Sequence, residues 1–189
     1  MLDLLIPTIA QGLLWSLLAL GVYITFRVLD IADLSVEGTF PLGAAVAATC
    51  ITSGHSLVTA FVLAVLAGCV AGAVTGLLTT KLKIPALLSG ILTMIGLYSI
   101  NLRVMGRANL SLLGQTTIYS WGASAGLTEA QTTLAVGLIA ALLVVAVVYW
   151  FFGTEIGLAL RATGYNPQMS RAQGVNTDSM VILGLLLSN

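Results

Sequence analysis

Long stretches without charge constrain this chain more than any other feature of its sequence. No charged residue occurs between positions 4 and 26, and between 38 and 80 only His55 can carry a charge near neutral pH. About 20 apolar residues in an α-helix cross a bilayer core of roughly 30 Å. Strands of an outer-membrane barrel would instead alternate apolar and polar residues. The sequence therefore predicts an all-α, polytopic bundle of transmembrane helices.

The composition excludes several classes of function. Only 7% of the residues are charged, against about 25% in an average soluble domain, and 7 basic residues balance 7 acidic ones. No basic excess is available to bind nucleic acid. The sequence has no phosphate-binding glycine loop and no HExxH motif, so we expect no catalytic residue, no metal and no cofactor. Cys50 and Cys69 lack a CxxC pattern and are interpreted as small core residues.

Charges and polar turns divide the chain into five full spans and a truncated sixth. The five are predicted at 4–26, 39–51, 57–80, 85–102 and 132–152, and the sixth begins at 180–187. A helix of about ten residues reaches only half of the bilayer core. We therefore expect residues 1–189 to be one membrane domain that is truncated at its C-terminal side. The polar stretch 108–128 is expected to be an exposed loop with a short re-entrant or interfacial piece.

The basic residues predict an orientation in the membrane. One set of span ends carries Arg27, Lys81, Lys83, Arg161 and Arg171, whereas the other carries Arg103 and Arg107. Cytoplasmic loops are enriched in Lys and Arg. The first set is therefore predicted to face the cytoplasm, together with residues 153–178. The N-terminus is then outside, in a multi-pass protein of the inner or plasma membrane.

An acidic segment follows the first span. In a continuous helix Asp30, Asp33 and Glu37 would share one face and repel each other. The sequence instead predicts a break, with Asp33 as N-cap and Glu37 near the positive end of the next helix. Three interpretations stay open: a solvated loop, a broken helix whose Asp30, Asp33, Ser35, Glu37 and Gly38 line a pathway, or a proton or cation site.

Small residues predict close helix packing in the third span. Gly68, Gly72 and Gly76 recur every four residues and form a smooth stripe against which another helix can pack. The fourth span contains polar residues, among them Ser89, Thr93 and Asn101. Their side chains are expected either to stabilise packing or to line a polar path.

The loop at 153–178 is longer than a connector between two spans needs. Its residues predict one short helix from Glu155 to Thr163 that ends at Gly164. Asn166 is predicted to cap a second helix, with Pro167 at its first position.

Gly174 is predicted to end the second helix, and Asn176 or Asp178 to cap the following span. Two uses of such a loop remain open. It offers a short helix to a cytoplasmic partner, or it lies on the lipid interface as an amphipathic helix.

Two segments resemble the permease subunits of ABC importers of the branched-chain amino acid and ribose type. The first is Asp33-Leu-Ser-Val followed by Glu37-Gly38. The second is Gly157-Leu-Ala-Leu-Arg-Ala-Thr-Gly-Tyr-Asn166, followed by Gly174-Val-Asn176. In that family the second segment is the coupling loop that docks into the ATP-binding subunit. The resemblance assigns to it Glu155, Gly157, Arg161, Ala162, Gly164, Asn166, Pro167, Arg171, Gly174 and Asn176.

The resemblance implies an ATP-driven importer whose hydrolysis takes place on a separate ATP-binding subunit. It also implies an extracytoplasmic substrate-binding protein and a permease homodimer or heterodimer in the bilayer. The segment from Asn101 to Asn109 is similar to tryptophan/tyrosine-type permeases, which implies an amino acid as the small polar solute. The residues themselves leave two alternatives: a secondary transporter fragment that uses Asp30, Asp33 and Glu37 for ion coupling, or a non-transporting truncated subunit.

Overall fold

The structure, a computed structural model, describes residues 2–112, 115, 117, 120, 122, 126 and 128–189. Its described helices are α1 (Leu2–Tyr23), which continues as a π-helical turn (Ile24–Val28), α2 (Val36–Thr52), α3 (Leu57–Thr80), α4 (Ala86–Met105), α5 (Glu129–Phe152), α6 (Glu155–Tyr165), α7 (Pro167–Ala172) and α8 (Thr177–Ser188). These residues contain no β-strand. The prediction for the loop at 108–128 falls largely outside the described residues.

Four helices are long and apolar enough to cross a membrane. They are α3, α4, α5 and the helix over 5–28. The apolar helices α2 and α8 have only 17 and 12 residues. The prediction of an all-α membrane protein is thus confirmed. Helix length alone does not establish the finer prediction of five full spans and a truncated sixth.

The bounds of α3 agree with the prediction, and the start of α2 differs from it. Helix α3 begins and ends where the sequence predicts. Helix α2 begins at Val36, three residues before the predicted start, so Glu37 and Gly38 lie in its first turn and not in the break. The break itself is present, because no helix covers residues 29–35.

Large apolar side chains cover the outer surface of the bundle. Val58 and Phe61 on α3, and Ile139 and Leu142 on α5, are all exposed. A soluble protein rarely exposes so extensive an apolar surface. A helix satisfies its own backbone in lipid, so these side chains suit a hydrocarbon environment.

The helices pack mainly in four pairs. Helix α2 contacts both α3 and α4, α1 contacts α5, and α3 contacts α8. The glycine stripe of α3 faces α8: a Cβ on Gly72 would overlap the backbone carbonyl of Leu185, and one on Gly76 would lie 2.9 Å from Ile182 Cα. The stripe therefore brings the two backbones close together.

Hydroxyl groups connect α3 with α4. Thr75 donates to Thr93 at 2.9 Å, and the Thr79 and Ser89 hydroxyls lie 2.6 Å apart. Such bonds satisfy polar groups away from water and fix the register of two helices. Ser89 and Thr93 therefore act in packing, whereas Asn101 makes no such bond through its Oδ1 atom.

We predict that Gly72→Ala destabilises the protein and Gly96→Ala does not. The new methyl group at position 72 would overlap backbone atoms of α8, which cannot move aside, whereas position 96 has open space. The overlap should cost about 1–3 kcal/mol. Thermal unfolding of the full-length protein in mild detergent measures the difference. Equal melting temperatures for the two variants would contradict the packing of α3 on α8.

Candidate functional site

The break between α1 and α2 begins with a tight local turn. The N–H groups of Leu29 and Ile31 donate to the carbonyls of Ile24 and Thr25 at 3.1 and 3.0 Å. Asp30 follows with φ 54°, a left-handed conformation that Asp adopts more readily than most residues. The chain then runs without helical structure to Ser35, where α2 begins to form.

A buried carboxylate organises the end of the break. Asp33 is 1% exposed, and its two oxygens lie 2.8 Å from the N–H and 2.8 Å from the hydroxyl of Ser35. The predicted N-cap, Asp33, is two residues too early, because Ser35 is the residue that precedes α2. The Asp33 carboxylate therefore stabilises the approach to the helix, and the N–H that it binds belongs to the cap residue.

The side chain of Asn189 completes this polar cluster, which consists of Asp33, Ser35, Thr39 and Asn189. Its Oδ1 accepts from the hydroxyls of Ser35 and Thr39 at 3.0 and 2.8 Å, and its Nδ2 donates to Asp33 at 3.4 Å. Asn189 also packs on Gly68, near the middle of α3. The cluster thus lies level with the middle of α3. Its assembly joins residues about 150 positions apart, which no local sequence pattern indicates.

The three acids of this region do not converge. Asp33 is buried, whereas Asp30 and Glu37 are exposed and line two different cavities. Asp30 lines a cavity of about 570 Å³ with Arg27 and Arg161. Among the described residues, no His, Cys, Asp or Glu group is placed to hold a metal ion, and no basic side chain pairs with Asp33.

The 153–178 loop folds back on the end of α5. Thr154 caps α6 by accepting from the Gly157 N–H at 3.3 Å, so Glu155 lies exposed in the first turn. Gly157 packs on the backbone of Phe151 and Phe152. On the next turn, Arg161 donates to the Phe152 carbonyl at 2.6 Å.

Gly164 does not end α6, so that prediction is wrong. The helix continues to Tyr165, and Gly164 rests on the chain at the end of α1. A Cβ at this position would overlap the Val28 carbonyl and lie 2.9 Å from Leu29 Cα. The glycine is therefore required for a backbone contact between α6 and the start of the break. Sequence rules interpret a glycine near the end of a helix as the residue that terminates it, and they do not detect such a contact.

The other predicted helix ends of the loop are present. Asn166 caps α7 through a 3.0 Å bond from the Met169 N–H, with Pro167 at the first helical position. Gly174 follows the end of α7 with φ 86°. Asn176 caps α8 through a 3.2 Å bond from the Ser179 N–H.

Arg171 ties α7 to α8. Its Nε donates to the Thr177 hydroxyl at 2.6 Å, and its guanidinium forms an ion pair with Asp178 at 3.0 Å. Ala162 is exposed on the same loop. The sequence analysis places Arg171 in the loop but does not identify these two partners.

The sequence matches one protein family over residues 4–189, described as branched-chain amino acid transport system, permease component. It is 40% identical to a tyrosine transport system permease protein of Clostridioides difficile (strain R20291), over 98% of this chain and 60% of that protein. It is 31% identical to the autoinducer 2 import system permease protein LsrC of Yersinia pseudotuberculosis (serotype O:1b, strain IP 31758), over 91% of this chain and 47% of LsrC.

An uncharacterized protein of Rickettsia prowazekii (strain Madrid E) is 34% identical, over 100% of this chain and 64% of that protein. The chain thus spans about half to two thirds of the length of these relatives. No solved structure matches it.

A match to the permease component over nearly all residues agrees with the apolar helices and with the absence of catalytic motifs from the sequence. Permease components leave ATP hydrolysis to a separate subunit. The chain therefore belongs to the family of branched-chain amino acid transport system permease components, the membrane subunits of ABC transporters.

Proposed function

We propose that this chain is the membrane-spanning part of an ATP-driven importer of an amino acid. The observation that carries the proposal is the contact of Gly164 with the Val28 carbonyl, which joins the 153–178 loop to the break. A loop that is fixed to the pathway helices can transmit a displacement to them. The relative described as a tyrosine transport system permease protein supports an amino acid as the solute. Its sequence identity to this chain is higher than that of LsrC.

The surface of the 153–178 loop suits an ATP-binding subunit. Tyr165 is 94% exposed, and Leu158 and Met169 are also exposed. Arg161 and Arg171 are exposed on the same two helices. Helices α6 and α7 meet at Asn166, whose extended backbone ends the first helix and begins the second. The alternative, an amphipathic helix lying on lipid, is disfavoured because both helices are short.

The proposed orientation follows from which helix ends lie on the same side of the bundle. The contact of Gly164 with Val28 brings the end of α1 to the side of the 153–178 loop. Arg27, Arg161 and Arg171 are then on one side, together with Lys81 and Lys83 at the end of α3. The positive-inside rule supports the cytoplasm for this side and an external N-terminus.

We count α2 as a full span together with the non-helical segment before it, and α8 as the first half of a sixth span. The close packing of α8 on the glycine stripe of α3 supports α8 as part of a membrane helix. The relatives are longer, which leaves room for further helices. As in other permeases of the family, a second permease copy and an extracytoplasmic substrate-binding protein complete the proposed importer.

We predict that Gly164→Ala uncouples ATP hydrolysis from uptake. The added methyl group would push α6 off the Val28 carbonyl, so movement of the loop would no longer reach the break. The measurement uses vesicles that contain the full-length permease and its partner subunits. The amount of L-tyrosine taken up per ATP hydrolysed should fall by roughly tenfold, which corresponds to about 1.4 kcal/mol.

Gly12→Ala is the matched control, since its Cβ would meet open space. It should retain wild-type coupling. If Gly164→Ala transports as efficiently as the control, the loop is not linked to the pathway through this contact.

Ion-driven transport is the second candidate, favoured by the burial of Asp33 without a basic partner among the described residues. Under our proposal the Asp33 carboxylate holds the break in shape. An amide oxygen at this position can still accept from Ser35, so Asp33→Asn should retain ATP-driven uptake. Asp33→Ala should lose most of it, because a buried unpaired N–H costs about 1–3 kcal/mol.

Uptake of L-tyrosine in the same vesicles, with ATP or with a proton or sodium gradient alone, measures both variants. If a gradient alone drives uptake by the wild-type protein, and Asp33→Asn abolishes that uptake, the protein is an ion-coupled transporter and our proposal is wrong.

A further inference from the structure

A cavity between α2 and α4 contains an acceptor atom that lacks a partner. The cavity measures about 410 Å³ and is lined by Glu37, Gly38, Pro41, Met94, Ile95, Tyr98 and Asn101. Asn101 is 7% exposed, and its Oδ1 has no hydrogen-bond partner in the structure. A buried carbonyl oxygen without a donor is rare and costs about 1–3 kcal/mol. A donor supplied by a ligand would remove that cost.

The second polar group of the cavity is the Glu37 carboxylate. A Cβ on its neighbour Gly38 would lie 2.8 Å from Met94 Cα, near the middle of α4, so Glu37 lies deep in the membrane span. A carboxylate at that depth is costly in lipid and normally faces a water-filled cavity or a solute pathway. Exposed Glu37 therefore indicates that this cavity is not filled by hydrocarbon.

The lining defines the chemistry of a ligand. The Asn101 Oδ1 and the Glu37 carboxylate are both acceptors, and no described residue of the lining is basic. A cation with N–H donors fits the Glu37 end. Tyr98 adds an aromatic ring, whose face attracts cations.

The two acceptors lie at opposite ends of the cavity. Asn101 is two helical turns beyond Met94, which separates it from the level of Glu37 by about 10 Å along α4. Met94, Ile95 and Pro41 form the apolar surface between them. A ligand that bonds to both ends needs an ammonium group, an apolar body and a distal hydroxyl.

We propose that this cavity is a solute site that binds an organic amine, with the ammonium group at Glu37 and a distal hydroxyl at Asn101. The assignment rests on the proposed transport function and names the two groups of its solute, the amine and the distal hydroxyl, that this cavity recognises. Glu37 sets the charge of the site, and Asn101 selects solutes that carry a donor at the far end.

A labelling experiment tests the charge of the site without ATP or partner subunits. The reporter is Ile95→Cys in the full-length protein, with every other cysteine replaced by serine. Its modification rates are measured with a trimethylammonium and a sulfonate methanethiosulfonate reagent. We expect the ratio of the cationic to the anionic rate to fall by at least about tenfold in Glu37→Gln.

Glu129→Gln, an exposed acid at the start of α5, is the control and should leave the ratio unchanged. An unchanged ratio in Glu37→Gln, or a cysteine that neither reagent reaches, would overturn the proposal.

Protection by three related solutes tests the two ends separately. Tyramine carries both groups, phenethylamine lacks the hydroxyl, and 3-(4-hydroxyphenyl)propionate lacks the amine. We expect tyramine to slow the labelling most, phenethylamine less, and the propionate and sodium ions not at all. Asn101→Leu should remove the difference between the two amines, and Glu37→Gln should abolish protection by both.

Equal protection by sodium, protection by the propionate, or protection by no solute would overturn the proposal. None of these results depends on the 153–178 loop. Failure here would leave ATP-driven transport standing, whereas failure of the Gly164 experiment would leave the amine site standing.

Discussion

The need to satisfy backbone and side-chain polar groups away from water shapes this protein. A helix meets that need by itself, so the long apolar helices require little else. The segment at 29–35 gives up helical bonds and depends on other partners. Asp33, Ser35, Thr39 and Asn189 supply them, and their mutual bonds hold the start of α2 in place.

Glycines make this arrangement sterically feasible. Gly90 lets α4 approach the break, since a Cβ there would lie 2.8 Å from the Asp33 carboxylate and from the Leu34 nitrogen. Gly164 does the same for α6, and Gly184 does so for α8, since a Cβ there would overlap the Leu29 side chain. Close backbone approach around one break means that α4, α6 and α8 all respond to its position. Such contacts allow a displacement of the surface loop to reach the segment between α1 and α2.

Local rules predict much of the fold but little of this tertiary arrangement. The bounds of α3 and the caps Asn166 and Asn176 follow from nearest neighbours in sequence, so they were predictable. Gly164 satisfies the pattern of a helix end, yet its role is a contact with Val28 far along the chain. The partners of Asp33 were equally hidden, because Asn189 lies 156 positions away. The unpaired oxygen of Asn101 depends on which helices surround it and has no sequence signal.

The distance between Asp33 and Asn189 has a consequence for biogenesis. At about 5–20 residues per second, roughly 8–30 s of synthesis separate the two residues. During that interval the Asp33 carboxylate is in the translating chain without its amide partner. The polar cluster around the break is therefore complete only after α8 has been synthesised.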